Sequence, residues 1–465
     1  MNKYKRLISN TTILGIGTFS SKLLVFFLVR FYTSCLSSEE YGIADIITQT
    51  ANLLIPVLSL GLFEAIFRLA MDDEQNSKGI FSSGLALIIA NGAIFSLLIP
   101  FIDMIDMVRG YGALIVLYVI SSCLNSVCAQ YVRAKGMMKL FAFKGILGTL
   151  IIITLNLLFL LVFDLGINGY VLSIVISDFI CAIFIFLYAK LWKEVEFSAV
   201  NTKTIRRMLA YSIPLIPTTI LWWITNVADR YMLMGMIDAS VTGLYTVSYK
   251  IPTMITLVSG IFIEAWQFSA VKEKTGDVQE HAAFFSVTFK NFQALMFMAG
   301  SALVAFSKIA TKIMAAPSYF ESWKYIPVLS LATVFSSLVT FMGVIYLMEK
   351  KSMMSFYTAF IGAALNIILN LLLIPTPLGA NGAAIATFAS YFVVFTIRAI
   401  QTRKYIRFDM NVMILSFNTL ILILQCVVML TNIPHTIILQ GIFLLAMCLL
   451  NLSPLLKTVK FLLKK

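Results

Sequence analysis

The sequence predicts an all-α, polytopic membrane protein with fourteen transmembrane helices. Three observations carry that reading. Of the 465 residues, 60% are hydrophobic and only 12% are charged, with a mean hydropathy of +0.93, so there is too little polar surface to cover a water-soluble globule. Apolar runs of about twenty residues recur along the whole chain, each long enough to cross a hydrocarbon core as a helix. Basic residues collect on alternate connections between those runs.

In chain order the runs fall at 9–33, 43–67, 80–102, 111–132, 144–163, 168–189, 208–235, 243–268, 284–307, 325–348, 354–374, 380–399, 411–431 and 436–456. The first follows "MNKYKRLISN" and has no small-residue cleavage pattern, so it reads as a span and not as a cleaved signal. The connections after even-numbered helices, with both termini, hold most of the 35 lysines and arginines, among them Arg133, Lys135 and Lys139, Lys190 to Arg207, and Arg398 to Arg407. The opposite connections hold Arg109, Lys308, Lys312 and Lys324. The positive-inside rule then places both termini in the cytoplasm and requires an even helix count. The net charge of +13 is therefore a topology signal, and no nucleic-acid partner is expected. No connection is long enough for a soluble domain, which weighs against an enzyme. The six cysteines show no metal or disulfide spacing; no cofactor, metal or catalytic residue is expected.

The peptide "LGING" (Leu165 to Gly169) precedes the sixth helix and "LGANG" (Leu378 to Gly382) precedes the twelfth. Upstream lie "KGMMKLF" with Asn156 and "KKSMMSFY" with Asn370, at nearly equal distances from the two glycine motifs. Gly42 and Glu64 of the second helix are echoed by Gly243 and Glu264 of the eighth. An offset of six helices gives both copies one orientation, a parallel repeat of two six-helix lobes around a central cavity. The expected division is an N-terminal lobe at 1–190, a cytoplasmic linker at 191–207, a C-terminal lobe at 208–400, and two added helices with a basic tail at 401–465.

An ionisable group in the bilayer core costs about 2.5–3.5 kcal/mol on insertion scales, so it should face a wet cavity or a partner. Lys22 lies near mid-membrane in the first helix and Arg30 follows two turns on; Arg230 and Lys250 come from the seventh and eighth. These four cations are candidates for an anionic ligand between the lobes. Asp45, Glu64, Asp178, Asp229 and Glu264 are candidates for ion coupling or internal pairing, Glu64 and Arg68 being spaced i,i+4. In the seventh helix Pro214 and Pro217 free backbone carbonyls and suit a hinge, while Trp222 and Trp223 are candidates to stack on a sugar ring, with plain packing as the competing role.

The stretch Gly17 to Leu69, "GTFSSKLLVFFLVRFYTSCLSSEEYGIADIITQTANLLIPVLSLGLFEAIFRL", resembles the opening of the polysaccharide transporter family of bacterial oligosaccharide-lipid flippases. That family belongs to the multidrug/oligosaccharidyl-lipid/polysaccharide superfamily. "YVRAKGMMKLFAF", "VADRYML" and "TGLYTVSYKI" carry the resemblance further. It implies an alternating-access flippase of the bacterial cytoplasmic membrane that moves undecaprenyl-diphosphate-linked oligosaccharide repeat units from the inner to the outer leaflet, for O antigen, capsule or exopolysaccharide. It also implies basic residues at Lys22, Arg30 and Arg230 around the diphosphate, and a lipid tail left among the membrane lipids. A proton or sodium ion is the coupling ion it suggests, and a polysaccharide polymerase with its chain-length machinery are the partners. The competing reading is a cation-coupled multidrug exporter of the same superfamily, which favours acidic cavity groups; a non-transporting scaffold is the reading from another class.

Overall fold

A computed structural model of the chain describes residues 28–73, 76–260, 262–263, 278–349, 351–431 and 433–463, and all regular structure among them is helical. Lys22 and Glu264 lie outside the described residues. Among the described residues, ten helices are long and apolar enough to cross a membrane, or eleven if a pair bent by 73° near Phe306 is one span. Each of the fourteen expected runs overlaps helix among the described residues, several of them with a break inside.

The chain divides into two compact units, 1–223 and 224–465. The first holds α1 (28–35), α2 (Ser38–Leu58), α3 (Leu62–Asp72), α4 (Ser77–Ser96), α5 (Ile99–Ile102), α6 (Gly112–Ala134), α7 (Met138–Asn156), α8 (Gly166–Tyr188) and α9 (Thr202–Ser212). The cut falls inside α10 (Ile216–Met236). The second unit continues with α11 (Ala239–Lys250), α12 (253–260), α13 (Val278–Ala305), α14 (Ser307–Met314), α15 (Ile326–Met348), α16 (Ser352–Leu373), α17 (Ala380–Thr402), α18 (Val412–Thr431) and α19 (Thr436–Leu463).

Local chemistry sets the helix starts. At α2 the Ser37 hydroxyl accepts the Glu40 N–H at 3.2 Å while the Glu40 carboxylate accepts the Ser37 N–H at 2.8 Å, a reciprocal box that satisfies two otherwise orphaned donors. At α11 the Asp238 carboxylate accepts the Val241 N–H at 2.7 Å. Ser37 and Asp238 keep the same separation as Gly42 and Gly243, so the duplicated helix begins at the same register in both units.

The repeated glycine motif is a joint. Gly166 and Gly379 take φ of +51° and +50°, the left-handed region that side chains resist. Three residues on, a Cβ at Gly169 would lie 2.9 Å from the Leu165 Cβ and 3.0 Å from the Phe159 Cβ, and one at Gly382 would lie 2.6 Å from the Leu373 carbonyl oxygen. The first glycine reverses the chain and the second seats α8 or α17 against the end of the preceding helix.

Several expected runs are not continuous. The second breaks at Ser59–Gly61, where Leu60 and Gly61 both have positive φ, giving α2 and α3. The third breaks between α4 and α5. The eighth ends α11 at Lys250 and restarts after a turn at Ile251–Pro252, because proline supplies no N–H and crowds the preceding turn. Pro214 sits in a 3-10 turn, Ile213–Leu215, between α9 and α10, and Pro217 lies in the first turn of α10.

Of the candidate spans among the described residues, α15 is the most buried in the second unit, with 83% of its apolar stretch covered, and α6 in the first, with 61%. These are the fourth and tenth expected spans, partners in the repeat. Arg398, expected on a basic connection, is instead inside α17 and 2% exposed. Its Nη1 donates to the Val339 carbonyl at 2.9 Å, and its Nε and Nη2 donate to the Thr358 hydroxyl at 3.0 and 2.8 Å, pinning α17 to α15 and α16.

Candidate functional site

In the second unit, α10, α11, α16 and α17 bring together a buried polar cluster. Asp229 is 1% and Arg230 5% exposed. Two consecutive ionisable residues in an apolar helix persist only when neighbours replace the water they lose. The Tyr245 hydroxyl of α11 donates to Asp229 Oδ2 at 2.7 Å and the Arg230 N–H to Oδ1 at 2.9 Å. The Thr387 hydroxyl of α17 approaches Oδ2 at 3.5 Å. The Arg230 guanidinium lies 4.8 Å from the centre of the Tyr249 ring, a cation–π contact in a desolvated setting.

From Thr387 the cluster continues outward. Asn366 donates to the Thr387 hydroxyl at 3.2 Å, and Asn370 donates to the Asn366 amide oxygen at 3.1 Å. Both asparagines are fully buried, and the Asn370 amide oxygen accepts no hydrogen bond among the described residues. One turn before Asp229, the Asn226 amide oxygen accepts the Tyr391 hydroxyl at 2.7 Å. Carboxylate, threonine and asparagine oxygens are the donor set that suits a small hard cation.

The first unit holds two smaller polar groups. Asp178 of α8 is half-buried; its carboxylate accepts from Ser122 and, at 2.6 Å, from Asn125, both on α6. Asp45 of α2 is 6% exposed and its Oδ1 accepts from Gln49 at 3.3 Å. Beside it Tyr32, Tyr41 and Tyr170 form an aromatic cluster, with Asn156 donating to the Tyr32 hydroxyl at 3.1 Å.

The remaining candidates are scattered. Arg30 is exposed on α1, where its carbonyl accepts the Thr33 and Ser34 hydroxyls. Lys250 is half-buried at the end of α11, next to Tyr249 of the Asp229 cluster. Trp222 and Trp223 are half-buried in α10. Glu64 is exposed on α3, and the i,i+4 pairing open to Arg68 is made with Asp72 instead, at 3.1 Å. Tyr245, Thr387, Asn366 and Tyr391 were not singled out from the sequence. The signal available was polar residues in the apolar runs that recur one helical turn apart, as Asn366 and Asn370 do.

The chain is a multi-helix architecture with buried acidic groups in apolar helices of both units. The fold is shared with the lipid II flippase MurJ in an inward closed conformation, at a TM-score of 0.72 and 15% identity over 97% of this chain and 100% of that one. It is shared too with an inward-facing multidrug resistance transporter of the MATE family, at 0.68 and 14% over 83% and 95%. A superfamily transporter from Pyrococcus furiosus, described as having a binding pocket of reversed polarity, gives 0.61 and 14% over 85% and 95%. No curated protein matches in sequence. Residues 7–266 match the family described as polysaccharide biosynthesis protein, and the chain belongs to that family.

Proposed function

We propose that this protein is a flippase of the bacterial cytoplasmic membrane, carrying undecaprenyl-diphosphate-linked oligosaccharide repeat units from the inner to the outer leaflet by alternating access. The observation that carries the reading is the joint one of family and fold: a polysaccharide biosynthesis protein whose architecture matches a lipid flippase over nearly its full length. The product feeds a surface polysaccharide, whether O antigen, capsule or exopolysaccharide, whose polymerase and chain-length machinery act next. Both termini lie in the cytoplasm, as the basic connections require.

The physical task is to take a diphosphate across hydrocarbon. Unassisted, at least two negative charges would lose their hydration, at a cost far above what sugar contacts return. Fixed cations in a hydrated cavity offset that loss. Lys22, Arg30, Arg230 and Lys250 are the groups we assign to it, with Trp222 and Trp223 available to the sugars and Pro214 and Pro217 to the bending of the seventh helix. Helices beyond residue 401 are an addition to the repeat.

Coupling is assigned to Asp229. Among the described acids Asp45, Glu64, Asp178 and Asp229 it is the most buried, and its oxygen-rich surroundings support either a proton on its carboxylate or a sodium ion beside Thr387 and Asn370.

Depletion of the protein in its native bacterium, followed by lipid extraction and mass spectrometry, tests the proposal. A polyprenyl-diphosphate oligosaccharide should accumulate and stay inaccessible to an external glycan-modifying reagent. Loss of cationic-dye efflux with no such lipid would instead support the multidrug exporter, the reading that the MATE-like fold favours.

A further inference from the structure

One amphiphilic cavity of the second unit lies apart from the Asp229 cluster. Helices α17 and α18 both pack on α15 but scarcely on each other, leaving a slot of about 460 Å³ floored by Phe335. On α17 its lining recurs at i, i+3, i+4, i+7, i+8 and i+11 from Phe392 to Arg403, and α18 repeats that pattern from Val412 to Ile423. Each wall therefore runs about 16 Å along its helix, the thickness of one leaflet of hydrocarbon.

The walls are mostly apolar. The Thr396 hydroxyl donates to the Phe392 carbonyl at 2.9 Å and the Thr419 hydroxyl to the Leu415 carbonyl at 2.8 Å, so neither has a hydrogen left to donate into the slot, and Ser416 is the remaining hydroxyl of the lining. At one end the slot meets a second cavity, lined by Arg403, Lys404, Arg407, Phe408 and Asp409, with Arg403 common to both. The loop there is held firmly. Ile406, Phe408 and Met410 are buried, with Phe408 against Phe285 and Phe289, and this alternation leaves Arg407 exposed. Asp409, the acid of that cavity, is engaged by Lys290 at 2.5 Å. Arg403, Lys404 and Arg407 make no ion pair among the described residues.

We infer that this is a binding site for an anionic phospholipid, one acyl chain in the α17–α18 slot and the headgroup phosphate at Arg403, Lys404 and Arg407. The charges complement a phosphate, and the slot is as deep as one leaflet. A basic pocket at the end of membrane helices is the arrangement that recognises acidic headgroups.

The test is native mass spectrometry of the delipidated full-length protein titrated with phosphatidylglycerol or phosphatidylcholine. Three forms are compared: the natural chain, the triple variant Arg403→Ala/Lys404→Ala/Arg407→Ala, and Ala399→Trp, which fills the slot and leaves every charge in place. Thermal unfolding in detergent checks that each is folded, with Leu420→Trp on the opposite wall as the substitute should Ala399→Trp fail. The natural chain should prefer phosphatidylglycerol by roughly tenfold or more; the triple variant should lose that preference, and the tryptophan variant should bind both lipids more weakly. Equal affinity for the two lipids, or a preference that survives the triple substitution, overturns the assignment. Displacement by inorganic phosphate at equal concentration also overturns it, in favour of a free-anion site. Tighter retention of a polyprenyl phosphate than of phosphatidylglycerol would do so too, giving the slot to the cargo's tail.

Discussion

The Tyr245 hydroxyl donates to Asp229 Oδ2 at 2.7 Å, and neither residue is more than 1% exposed. A buried carboxylate that loses one of its donors has its desolvation less fully compensated, at about 1–3 kcal/mol or more for a charged group. Tyr245→Phe should lower stability by that amount, read as a fall in the thermal midpoint in detergent. Asp229→Asn should be tolerated better in folding, yet make export insensitive to the proton or sodium gradient across vesicles. Undiminished gradient dependence in that variant would remove Asp229 from the coupling role.

Gly382→Ala should be among the most damaging single changes in the molecule. Its Cβ would meet backbone, the Leu373 carbonyl oxygen at 2.6 Å, which no rotamer change relieves. The expected outcome is loss of monodisperse protein on size exclusion. Gly441→Ala in α19 has open space around it and should be neutral or stabilising by up to about 1 kcal/mol.

Arg398 and Arg403 lie near each other in sequence and should respond oppositely to lysine. Arg398→Lys loses the planar fork that reaches Val339 and Thr358 together, costing about 1.5–3 kcal/mol, read as a fall in thermal midpoint. Arg403→Lys should leave the midpoint unchanged.

Lys22→Ala should abolish or strongly reduce polymer export at unchanged protein abundance, and Lys22→Arg should restore much of it. Normal export by a well-expressed Lys22→Ala protein would take the residue out of the proposed cavity.

Asp409 gives a pH signature outside the membrane spans. The Lys290 ammonium, joined by the Asn411 N–H, holds its carboxyl below the ordinary value of 3.8. A depressed folded value means that the contact contributes fully above 3.8 and is lost as pH falls through the folded value. The stability difference between the natural protein and Asp409→Asn should stay constant from about pH 7 to pH 5 and shrink in stronger acid, as followed by thermal unfolding.

Much of the architecture was legible because length and hydropathy dominate helix placement in a bilayer. The glycine joints were legible too, since "LGING" and "LGANG" are local in sequence and the positive φ at Gly166 and Gly379 is a local demand. The break at Pro252 had a local signal that a hydropathy count passes over. What escaped was relational. Tyr245, Asn366 and Thr387 look unremarkable one at a time, and their significance comes from meeting Asp229 across three helices. Arg398 misleads for the same reason: near a helix end a hydropathy reading assigns arginine to the interface, while Thr358 and Val339 provide an interior berth that no linear pattern announces.

The two copies of the glycine joint have one more implication. Beside the first, Asn156 reaches a tyrosine; beside the second, Asn370 begins a relay through Asn366 and Thr387 to a carboxylate. Both halves keep the same articulation and differ in what lies next to it. The two elbows are thereby energetically unequal, with a chargeable relay beside one and an aromatic cluster beside the other.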